Sequence, residues 1–136
     1  MEGPGGFAAL ARERHISLTT FKRDGRTAST PVWVVSDDGR RLLVWTGADT
    51  WKVKRIRRDT RVRVAASDAR GRVRGETFNG TARLLGPDAA TIVEPLLRAK
   101  YRLLKRGLDG VNAAVRAITR RPKPAAEYIE ILAADR

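Results

Sequence analysis

The chain has 136 residues, 42% of them apolar, with one histidine and no cysteine; 28 lysines and arginines against 15 acids leave a formal net charge of +13. That describes one domain over residues 1–136 with enough apolar content for a core, and it excludes disulfides, thiolate nucleophiles and cysteine metal sites. No apolar run approaches the roughly 18 residues of a spanning helix, and the start Met1-Glu2-Gly3-Pro4-Gly5-Gly6 lacks a secretory layout, so the expectation is a cytoplasmic protein without membrane contact.

Residues 15–21 alternate with period two, as a half-buried strand does. Asp24-Gly25 then signals a hairpin, with residues 27–35 as its partner strand. Pro31 inside that strand cannot donate to a ladder, so it belongs at an edge, a bulge or a place where something else approaches. Asp37-Asp38-Gly39 turns the chain into a third strand at residues 41–46. A short basic helix follows over residues 51–58, with Val53 and Ile56 on one side at i,i+3 spacing. Residues 61–67 and 72–78 read as further strands. Asn79-Gly80 reads as a second hairpin leading to a strand at 81–85. Helical spacing then runs from Ala89 to Leu104, and Gly107 breaks it. Leu108, Val111, Ala114, Val115 and Ile118 predict another amphipathic helix, and residues 128–132 a closing strand. The pattern predicts a mainly β domain, a small antiparallel barrel with helical additions.

The catalytic inventory is nearly empty. His15 lies in a strand among polar neighbours and reads as a surface or strand-edge histidine rather than part of a triad. No His/Cys/Asp spacing suggests a metal site, and the acids are scattered through turns. An enzyme of this composition depends on a bound cofactor for its chemistry.

The junction between the third strand and the basic helix is the strongest positive signal. The first N–H groups of a helix lack internal partners and carry the positive end of its dipole, which suits a phosphate. Asp49 or Thr50 is the expected N-cap, and Lys52, Lys54 and Arg55 crowd the first turns. The plain alternative is a solvated basic helix, against which like-charge repulsion at a positive helix end argues. Trp33 and Trp45 divide between core packing and the wall of an aromatic pocket, with the backbone of Pro31 and Val32 available to a ring edge. Arg61, Arg63, Arg70, Arg72 and Arg74 form a basic face. A nucleic-acid platform would interleave exposed aromatics with them, and none is read there, so nucleic acid is not the expected partner.

The series Leu18-Thr19-Thr20-Phe21, Asp24-Gly25, Thr30-Pro31-Val32-Trp33, Leu43-Val44-Trp45-Thr46, residues 51–59 and residues 80–84 resembles the pyridoxamine 5′-phosphate oxidase-like split β-barrel family. Within it, the series is most similar to the coenzyme F420-dependent oxidoreductases of actinobacteria. The resemblance implies a six-stranded antiparallel split β-barrel that forms a homodimer, with a deazaflavin or flavin in each interfacial cleft. It implies hydride transfer from reduced F420 to a small organic acceptor, with FMN as the alternative cofactor. It places Lys52 on the cofactor phosphate, helped by Lys54, Arg55 and the Thr50 turn. Thr30, Pro31, Val32 and Trp33, with Val44, Trp45 and Thr46, would face the ring. Relatives often carry Asn at the position of Arg55, and Asp-Pro-Arg where this chain has Asp59-Thr60-Arg61.

Overall fold

Apolar residues at alternate positions decide which face of each strand turns inward. The computed structural model describes residues 3–107 and 126–134. Strand β1 (His15–Phe21) buries Ile16, Leu18 and Thr20 and turns through Gly25, at φ 87°, into β2 (Thr27–Trp33). Glycine meets no steric penalty at such a φ. The turn is closed by the Lys22 N–H to the Arg26 carbonyl at 2.7 Å. Then come β3 (Leu42–Gly47), helix α2 (Trp51–Arg58), β4 (Arg61–Ser67) and β5 (Val73–Leu84). A 3-10 turn (Pro87–Ala89) leads into a second long helix (Ala90–Gly107), here α3, and β6 is Ala126–Ala133. Ahead of β1 lie α1 (Gly3–Ala8) and a 3-10 turn (Ala9–Arg12), which the sequence pattern did not announce.

The six strands form one antiparallel sheet in the order β2-β1-β4-β5-β6-β3. The sheet curls until its two edges, β2 and β3, nearly meet. A single bridge, Val35 to Leu43, joins them. The result is a half-open barrel. Its interior holds Ile16, Leu18, Val32, Val34, Leu42, Val44, Val62, Val64, Ile129 and Ile131, and Ile56 of α2 joins the same cluster. A second cluster on the outer face packs Val35, Leu43 and Tyr128 under Val93 and Tyr101 of α3. Burial of such side chains, at roughly 1.5–3 kcal/mol each, is the main force closing the barrel.

Two sequence expectations need correction. The partner strand of β1 ends at Trp33, and Val35 makes only the isolated bridge. Asn79-Gly80 is not a hairpin: β5 runs unbroken through it from Val73 to Leu84. Gly80 has no positive φ and is needed for space. A Cβ there would stand 2.9 Å from the Ile131 side chain, 3.2 Å from the Leu132 carbonyl and 3.3 Å from Val62. The seven strands read from the pattern become six, because the two pieces at 72–78 and 81–85 are one strand and the predicted closing strand is β6. The helix expected around Leu108 to Ile118 lies outside the described residues.

Gly80→Ala should therefore destabilise the fold by about 1–3 kcal/mol, the usual range for overpacking a tight core, read from the urea midpoint. A neutral result would restore the turn interpretation of this glycine.

Candidate functional site

Where the ladder between β2 and β3 stops, backbone groups are left facing one another. Val35 and Leu43 exchange both hydrogen bonds, at 2.9 and 2.7 Å. Backbone groups point to alternate sides along a strand. Hence the N–H and carbonyl of Trp33 and the carbonyl of Pro31 also point away from β1 and into the opening. On the facing edge the N–H and carbonyl of Trp45 do the same. Pro31 pairs in register with Ser17, but its missing N–H faces the opening, so no ladder bond is lost. This is the edge position that its chemistry predicted.

Side chains alternate in the other sense. Val32, Val44 and Thr46 are buried, and both valines belong to the barrel interior. Their backbone groups point the opposite way from those of Trp33 and Trp45, into the ladders with β1 and β6. Trp33 and Trp45 share the outward face and are 44% and 50% exposed. Neither tryptophan is in the core, so the expectation that one of them packs there is corrected. The Thr30 hydroxyl is buried with no hydrogen-bond partner, as is that of Thr20 on the neighbouring strand.

Helix α2 starts as the sequence predicted, with Thr50 at the N-cap position, but the Thr50 side chain does not cap it. Its hydroxyl donates to the Gly47 carbonyl at 3.0 Å. Asp49 does not cap it either. The first-turn N–H groups are thus left to solvent or a ligand, with no acid in the first turn. The three cations separate around the helix, which rotates about 100° per residue. Lys54 and Arg55 lie over the Trp51 ring at 4.7 and 5.8 Å. With Lys22, Arg23 and Arg58 they line an open cleft of about 480 Å³. Lys52 points elsewhere, beside the stripe formed by Val53 and Ile56. There burial, and then the charge of Arg55, pull its pKa below 10.5.

Sequence reasoning missed Lys22, Arg23 and Arg58. The first two sit in the hairpin turn, and only the fold brings them to the helix. The Arg58 guanidinium reaches the Phe21 carbonyl at 2.5 Å. Reasoning on the basic face also missed an aromatic: the Phe21 ring lies under Arg61 at 4.9 Å and Arg63 at 5.1 Å.

A larger cleft of about 690 Å³ lies between the N-terminal turns, Val35 and α3, walled mainly by alanine, valine and leucine. Lys100 is its partly buried cation, and burial pulls its pKa down to about 8. Its ammonium already donates to the carbonyls of Ala11 (2.7 Å), Glu13 (2.6 Å) and Val34 (2.5 Å). All three of its protons are used. It is therefore a structural tie rather than an anion receptor. Among the described residues no group of three potential metal ligands occurs, and no helix is long and apolar enough to cross a membrane.

The family model described as pyridoxamine 5′-phosphate oxidase matches residues 7–122. The chain belongs to the pyridoxamine 5′-phosphate oxidase family. The split barrel is accordingly the fold of an FMN-binding oxidoreductase family. A conserved hypothetical protein from Mycobacterium tuberculosis is similar at TM-score 0.67 and 22% identity, over 99% of this chain and 82% of its own. An F420 reductase is similar at TM-score 0.59 and 12% identity, over 93% of this chain and 92% of its own. A pyridoxamine 5′-phosphate oxidase-related, FMN-binding protein from Nostoc punctiforme follows at TM-score 0.54 and 14% identity, over 94% and 77%. At these identities the likeness to solved structures is one of fold. No curated protein matches the chain significantly.

Within this family fold, one aromatic beside the opening is held in place by polar contacts. Trp33 stacks on Tyr101 of α3 at 4.4 Å and 13°. Its indole N–H donates to His15 Nε2 at 3.0 Å, across the β1–β2 register that sets His15 opposite Trp33. The Tyr101 hydroxyl donates to the Arg14 carbonyl at 2.7 Å and accepts the Val34 N–H at 3.1 Å. Burial raises that phenol's pKa to about 12. An accepting Nε2 requires neutral histidine. Burial first, then the charge of Arg14, lower the His15 pKa from 6.5, with Asp68 opposing. A lowered folded pKa favours the neutral ring, so this contribution is complete above pH 6.5 and is lost as pH falls through the folded value. With Trp45 and Trp51 replaced by phenylalanine, Trp33 emission should change on acidification below pH 6.5, and His15→Ala should abolish that transition. Emission that stays flat to pH 5 would show that His15 does not hold the indole.

Proposed function

We propose that this chain binds FMN at the opening between β2 and β3 and acts as an oxidoreductase on a small organic substrate. The observation that carries the proposal is the juxtaposition, around one opening, of unpaired backbone groups, two outward tryptophans and an uncapped basic helix start. A phosphorylated flavin needs each of these: polar groups for the ring edge, an aromatic or apolar wall, and an anion seat. Lys52 and the open first turn of α2 are assigned to the phosphate. Lys54 and Arg55, turned toward Trp51, contribute field rather than contact.

The chain's own side chains hold, orient and shield, while the bound flavin supplies the two-electron chemistry they lack. Trp33, fixed by Tyr101 and His15, orients the ring. Trp45 is the second wall. A homodimer belongs to the same proposal, because half-exposed tryptophans flanking an open cleft are covered when a second copy closes it. Sedimentation should then return twice the monomer mass.

Coenzyme F420 is the second reading. It rests on the motif resemblance and on the similarity of the fold to that of an F420 reductase. Titration of the purified protein with FMN and with F420 separates the two. FMN should bind, and Lys52→Ala should weaken it about 10-fold or more, the loss expected for a charge-assisted hydrogen bond, while Arg72→Ala changes it less than about 2-fold. Equal losses would assign the binding to diffuse charge, and F420 binding without an FMN response would transfer the site to the second cofactor. Because the Lys52 pKa is lowered, its charge disappears below the ordinary lysine range. Affinity should therefore start to fall as pH rises, before 10.5 is reached.

A further inference from the structure

The cleft on the outer side of α2 holds more charge than a cofactor phosphate can use. Lys22, Arg23, Lys54, Arg55 and Arg58 line it together with Trp51, and no carboxylate does. None of these five cations forms an ion pair among the described residues. A phosphate monoester carries about −1.5 to −2 charges near neutrality, less than half of the five. The surplus continues onto the sheet. Arg58 contacts the Phe21 carbonyl, and the Phe21 ring carries Arg61 and Arg63 above it. Arg61 pairs with Asp59 at 2.8 Å, which fixes its position and neutralises one charge. The band therefore runs from β4 across the β1–β2 turn to α2, with two aromatics set among its cations. Trp51 is 67% exposed, so its indole is accessible to a ligand.

We infer that this band is a binding surface for single-stranded nucleic acid, adjoining the proposed cofactor seat on the outer flank of α2 and independent of which cofactor that seat takes. Backbone phosphates would follow the cations, and a base would stack on the open face of Trp51, the pairing of charge and π surface that single-strand binders use. An acidic peptide would use the charge but leave Trp51 without a role. Duplex ends offer no free base to the ring.

The test is fluorescence anisotropy with a labelled oligothymidylate of about 12 nucleotides, within the span of a small binding domain. The comparison ligand is an oligoaspartate of similar charge, and the protein is the full chain. Five neutralised phosphates at about −0.7 each predict a log–log salt slope near −3.5, or roughly a 100-fold loss of affinity between 50 and 200 mM salt. Trp51→Ala should weaken the oligonucleotide about 5-fold or more and leave oligoaspartate unchanged. Lys22→Ala with Arg23→Ala should flatten the slope by about 1.4. Lys22 and Arg23 lie on the surface and outside the proposed phosphate seat, so FMN affinity of the double variant reports that the redox site is intact, and the melting temperature of each variant reports that the fold is. If oligoaspartate binds as tightly as the oligonucleotide, or if Trp51→Ala weakens both alike, the inference is overturned in favour of an acidic protein partner or unspecific charge. Absence of oligonucleotide binding at 50 mM salt overturns it outright.

Discussion

Pairing between β2 and β3 stops after one bridge, and the rest of the molecule is arranged around that interruption. A closed barrel would satisfy every edge group and leave none of them for a ligand. Here the sheet bends far enough for Val35 and Leu43 to meet and no further. Both are held under α3 by apolar contacts in the outer cluster, so the bridge sits where the helix packs on the sheet. Beyond it the edges diverge, and their polar backbone groups must find water or a ligand. Pro31 stands on this edge, where its missing donor is harmless.

The basic helix is the other consequence of the interruption. Its inner residues, Val53 and Ile56, are buried, and Ile56 belongs to the barrel interior. Its cations are therefore forced outward, to two different sides. Burial decides which lysine is desolvated and which remain in water. Lys52 is placed to lose charge early, whereas Lys54 and Arg55 stay beside the indole of Trp51. A cluster that looks single in the sequence thus divides between a half-buried Lys52 and the cations that gather at the Trp51 ring.

Much of the barrel could be read directly. Alternation fixed β1 and β4, and helical spacing fixed α2 to the residue. The β1–β2 turn at Asp24-Gly25 fixes the register too, so the facing of His15 and Trp33 could have been counted from the hairpin. Asn79-Gly80 misled because glycine serves two physical purposes, conformational freedom and close approach, and only the neighbour across the sheet tells them apart. Trp33 and Trp45 misled because an edge strand's outward face is covered or bare according to where a distant helix lies. Lys22 and Arg23 joined the helix cations only through closure of the barrel. Membership in the family was legible in the order of several weak motifs, and no one of them was sufficient.

Lys100 has a consequence of its own. One ammonium binds the segment before β1, the end of β2 and α3 together, through carbonyls of Ala11, Glu13 and Val34. Loosening any one of these pieces strips acceptors from a charge that is poorly hydrated where it stands. Fraying of the N-terminal arm therefore does not stay local. Amides near the arm and those beside the aromatic stack belong to one cooperative exchange unit, although they are far apart along the chain.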